Sequence, residues 1–248
     1  MIAIFCALED EITDFKKMMQ VQEISASKAC KIWRGKFGRK ESLLVLTGVG
    51  KEKAERVTDW VLSQYPLELV ISTGFAGALN GKTQVGDIVV YSRLKWGAEE
   101  VDCDPDLVSQ AMICKAGSPF KSIQGIGVTI DDVCATAESK HRLGSKFAAD
   151  LVDMESYWIG RIAVGKGIPF LGVRTVFDAV HDDLTLIGRI TSGGKIVYWK
   201  ALKEIIFHFG RLKDLTCYYR NYLKAAQSLA QFMGQLMDNP TFAGEKNL

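Results

Sequence analysis

The sequence lacks the features that would place a protein in a membrane, outside the cell or on nucleic acid. No apolar run approaches the ~20 residues that a bilayer-spanning helix requires. Residues 1–6 lead directly into acidic residues, without the basic segment and cleavage site of a signal peptide. Lys and Arg total 31 against 29 Asp and Glu, and no basic run of useful length occurs. We therefore expect a cytoplasmic protein whose partner is a small molecule and not nucleic acid.

Cysteine and histidine are present, but they are too scattered to form a metal or redox motif. The six cysteines include no Cys-x-x-Cys pair, so free thiols in a reducing compartment are the simplest interpretation. The three histidines have no metal-type neighbour four residues away and no acidic residue placed for a catalytic triad. We predict neither a metal ion nor another cofactor.

Apolar runs alternate with helical segments along residues 1–178, a pattern that predicts an α/β fold. We expect strands at 2–6, 31–37, 42–47, 69–73, 88–91, 122–130 and 170–173. We expect helices at 7–19, 52–65, 104–117, 138–147 and 155–166, with Trp60 on the apolar face of the second. This order predicts a central mixed, twisted sheet covered by helices. No linker or repeat divides the 248 residues, so we predict a single domain.

The segment after residue 178 has a different composition. Residues 181–195 contain three glycines and predict a loop. Residues 195–237 predict two helices broken near Gly210, with lysines and arginines between large apolar side chains. We expect this helical tail, residues 195–240, to pack on the sheet or against a second subunit. The alternative is a basic amphipathic surface that lies on a membrane or borders a lipid-accepting groove.

Two carboxylates flank the most informative stretch, residues 151–178. Glu155 stands where a helix is predicted to begin, and Asp178 follows a strand that is almost wholly apolar, as a buried parallel strand is. One ligand could reach both. Glycine-rich junctions at 47–51 and 72–78 follow two further strands and would let a ligand lie against backbone N–H groups. The structural alternatives are a helix cap for Glu155 and a strand-end acid for Asp178.

Six short motifs, taken in order, resemble the superfamily of purine nucleoside phosphorylases and methylthioadenosine/S-adenosylhomocysteine nucleosidases. They are ALEDE at 7–11, TGVGK at 47–51, STGFAGA at 72–78, VGDIV at 85–89, VDMES at 152–156 and VRTVFD at 173–178. DMES, the AVH that follows residue 178, GGK at 193–195 and the helical tail resemble the hopanoid-associated branch. That branch is described as phosphorylase-like and is thought to remove adenine from adenosylhopane. The resemblance also implies a homo-oligomer with sites near subunit interfaces.

The resemblance implies a role for each matching residue. Asp178 matches the aspartate that protonates, or hydrogen-bonds to, N7 of the departing purine, and Glu11 aligns with the glutamate that activates water in the methylthioadenosine nucleosidases. Glu155 matches the glutamate that holds the ribose hydroxyls. The implied substrate-binding set is Glu155, Met154, Phe75, Ala76, Gly77 and Val133.

The chemistry of an N-ribosidic bond agrees with these roles. The bond breaks through an oxocarbenium-like transition state, so adenine leaves easily only when its ring nitrogen is protonated. Asp178 must then be neutral near pH 7, against a reference pKa of ~3.9, and burial acts in that direction. Glu11 would orient the attacking water, as the base of an inverting glycosidase does. Glu155, kept ionised, would favour the developing positive charge.

The choice between water and phosphate as acceptor depends on cations near the sugar. Ser72 and Phe75 stand where the hexameric purine phosphorylases have a phosphate-binding arginine and serine, which disfavours a dianionic co-substrate. Lys51 and Arg174 remain as candidate phosphate ligands. We predict hydrolytic release of adenine, with adenosylhopane preferred and methylthioadenosine or S-adenosylhomocysteine next. A phosphorylase that uses phosphate as co-substrate, and a non-catalytic nucleoside-binding relative, are the alternatives.

Overall fold

A computed structural model describes residues 1–26, 30–114, 119–182 and 212–242. Its ten strands form one mixed sheet. They are β1 Ile2–Cys6, β2 Gln20–Ala26, β3 Lys31–Phe37, β4 Lys40–Leu46, β5 Leu69–Ala78, β6 Ile88–Trp96, β7 Glu99–Asp102, β8 Ser122–Thr129, β9 Leu151–Asp153 and β10 Phe170–Asp178. The helices are a 3-10 turn Glu9–Ile12, α1 Thr13–Lys16, α2 Lys51–Gln64, α3 Pro105–Ala111, α4 Ala137–Phe147, α5 Ser156–Gly165 and α6 Leu212–Asp238. The predicted α/β fold with a mixed sheet is confirmed, whereas the single domain stays a prediction.

Most predicted elements exist, and the errors concern edges and ends. The predicted helix 7–19 is wrong in length, because only the 3-10 turn and α1 form before β2 begins at Gln20. Strand β2 was not predicted, because it is a mostly polar edge strand, with Ile24 60% exposed. Strand β7 was also missed. Trp60 is not on the buried face of α2, since 44% of its surface is exposed.

The strands at the centre of the sheet are parallel and buried. β1 lies between β4 and β5, and β5 also pairs with β10, all in parallel. All nine residues of β10 are buried, as expected for a strand covered on both faces. Because these strands are parallel, their carboxyl ends meet at one edge, where ligands of α/β folds commonly bind.

Strand β9 brings a second group of residues to that edge. It pairs antiparallel with β5, with Val152 opposite Gly77, so the residues after β9 run back alongside the residues before Gly77. β10, β6, β8, β9 and β5 pair successively, and β10 pairs again with β5, which closes five strands into a ring.

The C-terminal helix α6 packs on this framework. Its buried face recurs at helical spacing and includes Ala225, Leu229, Phe232, Met233 and Leu236. A packing helix near the C-terminus is therefore confirmed, whereas the predicted loop 181–195, the helix before Gly210 and the break there lie outside the described residues apart from 181–182. In the described part of the chain, no helix has the length and apolar character needed to cross a membrane.

Candidate active site

A pocket opens at the shared edge of β1, β5 and β10. Its empty volume, including the open mouth, is about 920 Å³, which is within the range of small-molecule sites. All eight predicted site residues line it: Glu11, Phe75, Ala76, Gly77, Val133, Met154, Glu155 and Asp178. The structure thus brings together residues that are separated by as many as 167 positions in the sequence, between Glu11 and Asp178.

Glu11 is held by backbone donors on two sides. Its Oε1 accepts a hydrogen bond from the Phe75 amide at 3.1 Å, and its Oε2 accepts one from the Leu8 amide at 3.0 Å. The second bond belongs to the start of the 3-10 turn, so Glu11 has a structural role as well as a place in the pocket. Burial raises the pKa of the Glu11 carboxyl, and the nearby Arg174 guanidinium opposes that rise.

Glu155 precedes α5 but does not cap it. Its side chain makes no cap hydrogen bond; Asp153 Oδ1 instead accepts from the Ser156 amide at 3.0 Å. Glu155 Oε1 accepts a hydrogen bond from the Gly50 amide at 2.8 Å, so the glycine loop after β4 directs its N–H to this carboxyl. Burial raises the pKa of Glu155 to about 8. This rise opposes the ionised state that we predicted for Glu155, whereas Arg174 and the Gly50 hydrogen bond favour that state.

Asp178 ends β10 and lies against β5. A Cβ placed on Gly77 would be 3.0 Å from Asp178 Oδ2, which shows how closely the carboxyl approaches that strand. Burial raises the pKa of Asp178, in the direction that we predicted from the sequence. The Lys140 ammonium group, 2.5 Å from Oδ2, opposes this rise.

Arg174 lies beneath the pocket with its guanidinium buried. Its Nε is 3.3 Å from Asp153 Oδ2, and its Nη2 donates to Ser156 Oγ at 2.7 Å and to Ser72 Oγ at 3.1 Å. The residue is 1% exposed. These contacts use the guanidinium internally, so the structure does not present Arg174 as an open phosphate site.

Gly74 lets this guanidinium approach Glu11. Its φ is +142°, and a Cβ there would lie 2.5 Å from Arg174 Nη1 and 2.9 Å from Glu11 Oε2. No side chain fits without displacing one of the two groups. The glycine at this position therefore lets the Arg174 guanidinium and the Glu11 carboxyl lie on the same side of β5, where Arg174 influences the pKa of Glu11.

The other candidate cation, Lys51, is also occupied elsewhere. Its Nζ lies 4.0 Å from the centroid of the Trp158 ring and 4.8 Å from that of Trp96. Among the residues that the structure describes, the pocket lining contains no Lys or Arg side chain. It contains five carboxyl groups, those of Glu11, Asp132, Asp153, Glu155 and Asp178.

One wall of the pocket is aromatic. The rings of Phe75 and Phe177 stack with centroids 5.3 Å apart, and Tyr222 of α6 meets Phe75 edge-on at 6.0 Å. The Tyr222 hydroxyl donates to the Asp10 carbonyl at 3.2 Å, which ties the helix to the segment after β1. Helix α6 thus supports the wall of the pocket from outside.

Two residues that act on the predicted carboxyls, Lys140 and Asp153, have no role among the sequence-based predictions. Lys140 was placed only in a short polar helix, and nothing in the local pattern distinguishes it from a solvated lysine. Asp153 was included in a motif but was given no role. Their partners lie on distant strands, so only the tertiary fold shows the pairs. In the described part of the chain, no cluster of three or more His, Cys, Asp or Glu is arranged to bind a metal ion.

Curated relatives at moderate identity are nucleosidases. The 5′-methylthioadenosine/S-adenosylhomocysteine nucleosidase of Staphylococcus epidermidis is 28% identical over 200 residues, which cover 73% of this chain and 87% of the relative. The protein of the same name from Listeria monocytogenes is 27% identical over 208 residues, or 75% and 89% of the two chains.

Solved structures share the fold at lower identity. The corresponding nucleosidase of Neisseria meningitidis, in complex with methylthio-immucillin-A, superposes with a TM-score of 0.74 and 20% identity over 94% of this chain and 96% of its own. Futalosine hydrolase of Helicobacter pylori gives a TM-score of 0.73 at 18% identity, over 94% of each chain. These likenesses confirm the nucleoside phosphorylase-like fold.

The family itself is shown by the sequence. The model of the phosphorylase superfamily matches residues 1–188, about three quarters of the chain. The prediction of an enzyme from the nucleosidase and phosphorylase class is confirmed. The chain belongs to the phosphorylase superfamily.

Proposed function

We propose that this enzyme hydrolyses the N-ribosidic bond of a 5′-modified adenosine and releases adenine. The observation that carries the proposal is the charge of the pocket, which has five carboxyl groups and no basic side chain among its described lining residues. Among the described residues, a dianionic phosphate would meet carboxyl groups and an aromatic wall with no cationic partner in the lining, which is costly in a partly desolvated site. Water has no such cost. The nucleosidase relatives support the same reaction class.

The carboxyl groups divide the reaction between them. Asp178, whose pKa is raised by burial, gives a proton to N7 of adenine as the C1′–N9 bond breaks. Glu11, positioned by two amides, accepts a proton from the water that adds to C1′. The Glu155 carboxyl forms hydrogen bonds with the ribose hydroxyls, and Met154 packs beneath the sugar.

The 5′ substituent determines the biological substrate. Methylthioadenosine and S-adenosylhomocysteine are supported by the named relatives, and we place them first. Adenosylhopane, which the sequence motifs suggest, is the alternative substrate. The apolar wall of Phe75 and Phe177, with Tyr222 behind it, favours a large apolar group at the 5′ position. Homo-oligomerisation and contact of the C-terminal segment with lipid stay predictions.

The test is adenine release from methylthioadenosine, adenosine and a long-chain 5′-alkyl adenosine, each with and without phosphate, measured by chromatography. We expect release that does not depend on phosphate. Asp178→Asn should lose activity, whereas Asp14→Asn, which removes a half-exposed carboxylate paired with Lys17, should retain it. Strict dependence on phosphate, with ribose 1-phosphate as product, would contradict the proposal.

A further inference from the structure

A lysine is completely buried next to the proposed catalytic acid. Lys140 lies on α4 and is 0% exposed, although lysine is almost never fully buried unless it is paired. The side chain does not line the pocket; it reaches Asp178 from the protein side. The reaction described above leaves this lysine without a role.

The ammonium group of Lys140 is fixed by three oxygen atoms. It donates to the carbonyls of Ala179 at 2.7 Å and Asp182 at 3.0 Å, and it lies 2.5 Å from Asp178 Oδ2. The two carbonyls belong to the segment that follows β10. Since they hold the ammonium in place, its charge is directed at Asp178 without the freedom that a surface lysine has.

We propose that Lys140 is a positioning residue for Asp178. The buried ammonium group of Lys140 stabilises the carboxylate that forms when Asp178 gives up its proton. This inference rests on the proposed function. As C1′–N9 breaks, its electron pair goes to adenine, the proton of Asp178 moves to N7, and Asp178 becomes an anion 2.5 Å from a fixed cation. Lys140 keeps its own protons. Water supplies hydroxide to C1′ and a proton to Glu11; Glu11 then releases its proton to solvent, and Asp178 regains one from solvent.

The arrangement balances two opposing requirements of an acid catalyst. Burial alone would hold the proton on Asp178 too tightly for transfer, and the cation alone would remove it before the substrate arrives. Efficient general acids have a pKa near the working pH. The structure combines both effects on one carboxyl: burial raises the pKa of Asp178, and Lys140 opposes the rise.

Other ionisable groups near this pair have to be considered. Asp182, in the segment after β10, raises the pKa of Asp178. Cys134 lies before α4 and interacts electrostatically with both Asp178 and Lys140, while burial raises the pKa of its thiol, which keeps it neutral at pH 7. The neighbouring residues of β5 and β9, Gly77 and Val152, carry no charge. Among the described residues, Lys140 is thus the cation that acts on Asp178.

The proposal is tested with two uncharged variants. Lys140→Gln retains N–H donors for the two carbonyls, and Lys140→Met retains none, so together they separate charge from hydrogen bonding. The matched control is Lys146→Met, which replaces an exposed lysine on the same helix. Folding of each is checked by circular dichroism. The Asp178 carboxyl is then titrated by ¹³C NMR in protein labelled at aspartate Cγ, with its signal assigned from Asp178→Asn.

We expect the Asp178 midpoint to rise by about 1–3 pH units in each folded Lys140 variant, because an opposite charge at this distance lowers a carboxyl pKa by that amount. The alkaline limb of kcat for adenine release should move up with it, while the maximal rate falls. Lys146→Met should change neither.

An Asp178 midpoint unchanged in the Lys140 variants would overturn the inference, as would a lower kcat without movement of the alkaline limb. The second result would mean that Lys140 only supports the structure. If the wild-type enzyme releases no adenine from any of the nucleosides, the proposed function fails, and the NMR titration still decides whether Lys140 controls the proton on Asp178.

Discussion

Replacing Arg174 by Met tests the buried charge network beneath the pocket. Met keeps the volume and linear shape of the side chain but removes the guanidinium that faces Asp153 at 3.3 Å. Both residues of the pair are buried, at 1% and 5% exposure, so solvent cannot replace the lost partner. The substitution leaves an uncompensated carboxylate in the interior.

The magnitude follows from the remaining contacts. Removing one partner of a buried pair costs about 3–5 kcal/mol. Asp153 would keep hydrogen bonds from Thr129 at 2.8 Å and Tyr91 at 3.2 Å as well as from backbone amides, which places the loss at the lower end, about 3 kcal/mol. For a chain of this size, that corresponds to a fall in Tm of about 6–12 °C.

Denaturation by urea at pH 7, followed by circular dichroism, measures the change in the free energy of unfolding. Arg161→Met is the control, because Arg161 pairs with Glu55 at 2.6 Å while half exposed, and such pairs contribute about 0.2–1 kcal/mol. In an Asp153→Asn background, Arg174→Met should cost much less. A loss no greater than that of Arg161→Met would refute the reasoning.

Three further predictions concern the carboxyls and the glycine around this network. Asp178→Asn should lower kcat for adenine release by about 10²–10⁴-fold, because the amide cannot give the proton, and it should also lower the Tm, because the buried Lys140 loses its charged partner; full activity would contradict the assignment. Glu155, with a pKa of about 8 in the fold against 4.5 when unfolded, binds its proton more tightly in the folded state. Stability from this group is therefore present below pH 4.5 and is lost as the pH rises to 8. The Tm of Glu155→Gln relative to wild type should accordingly rise between pH 5 and 8. A Tm difference that stays constant over this range would be evidence against the raised pKa of Glu155. Gly74→Ala should lose about 1–3 kcal/mol of stability through strain and displacement of Arg174 or Glu11, whereas Gly81→Ala, which has open space at its Cβ position, should be nearly neutral by the same urea titration.

The fold was predictable where the sequence pattern reports burial on both faces. β1, β4 and β10 contain apolar runs, and each was identified because both faces of the sheet are covered there. β2 was not, since an exposed edge strand needs no apolar pattern and is defined by its pairing with β3. The early end of the first helix has the same cause. From Gln20 onwards the chain pairs with β3 as a strand, and the local sequence signals for a helix give no indication of this pairing.

The pocket was predictable as a set of residues but not as a set of protonation states. Short motifs identified Glu11, Glu155 and Asp178, because each lies at an element end that the fold brings to one edge. The protonation state of Glu155 depends on an environment that comes from elsewhere in the chain: the Gly50 amide, Asp153 and the depth of burial. Lys140 was missed for the same reason.

Burial and the charge of Arg174 act in opposite directions on two carboxyls of the pocket. One guanidinium pairs with Asp153 and also interacts with Glu11 and Glu155. Burial raises the pKa values of both glutamates, and Arg174 opposes both rises. In the proposed reaction, the ribosyl group becomes positively charged as adenine leaves. A carboxylate at Glu11 or Glu155 attracts that charge more strongly as the bond breaks than it attracts the uncharged bound substrate, so it stabilises the transition state.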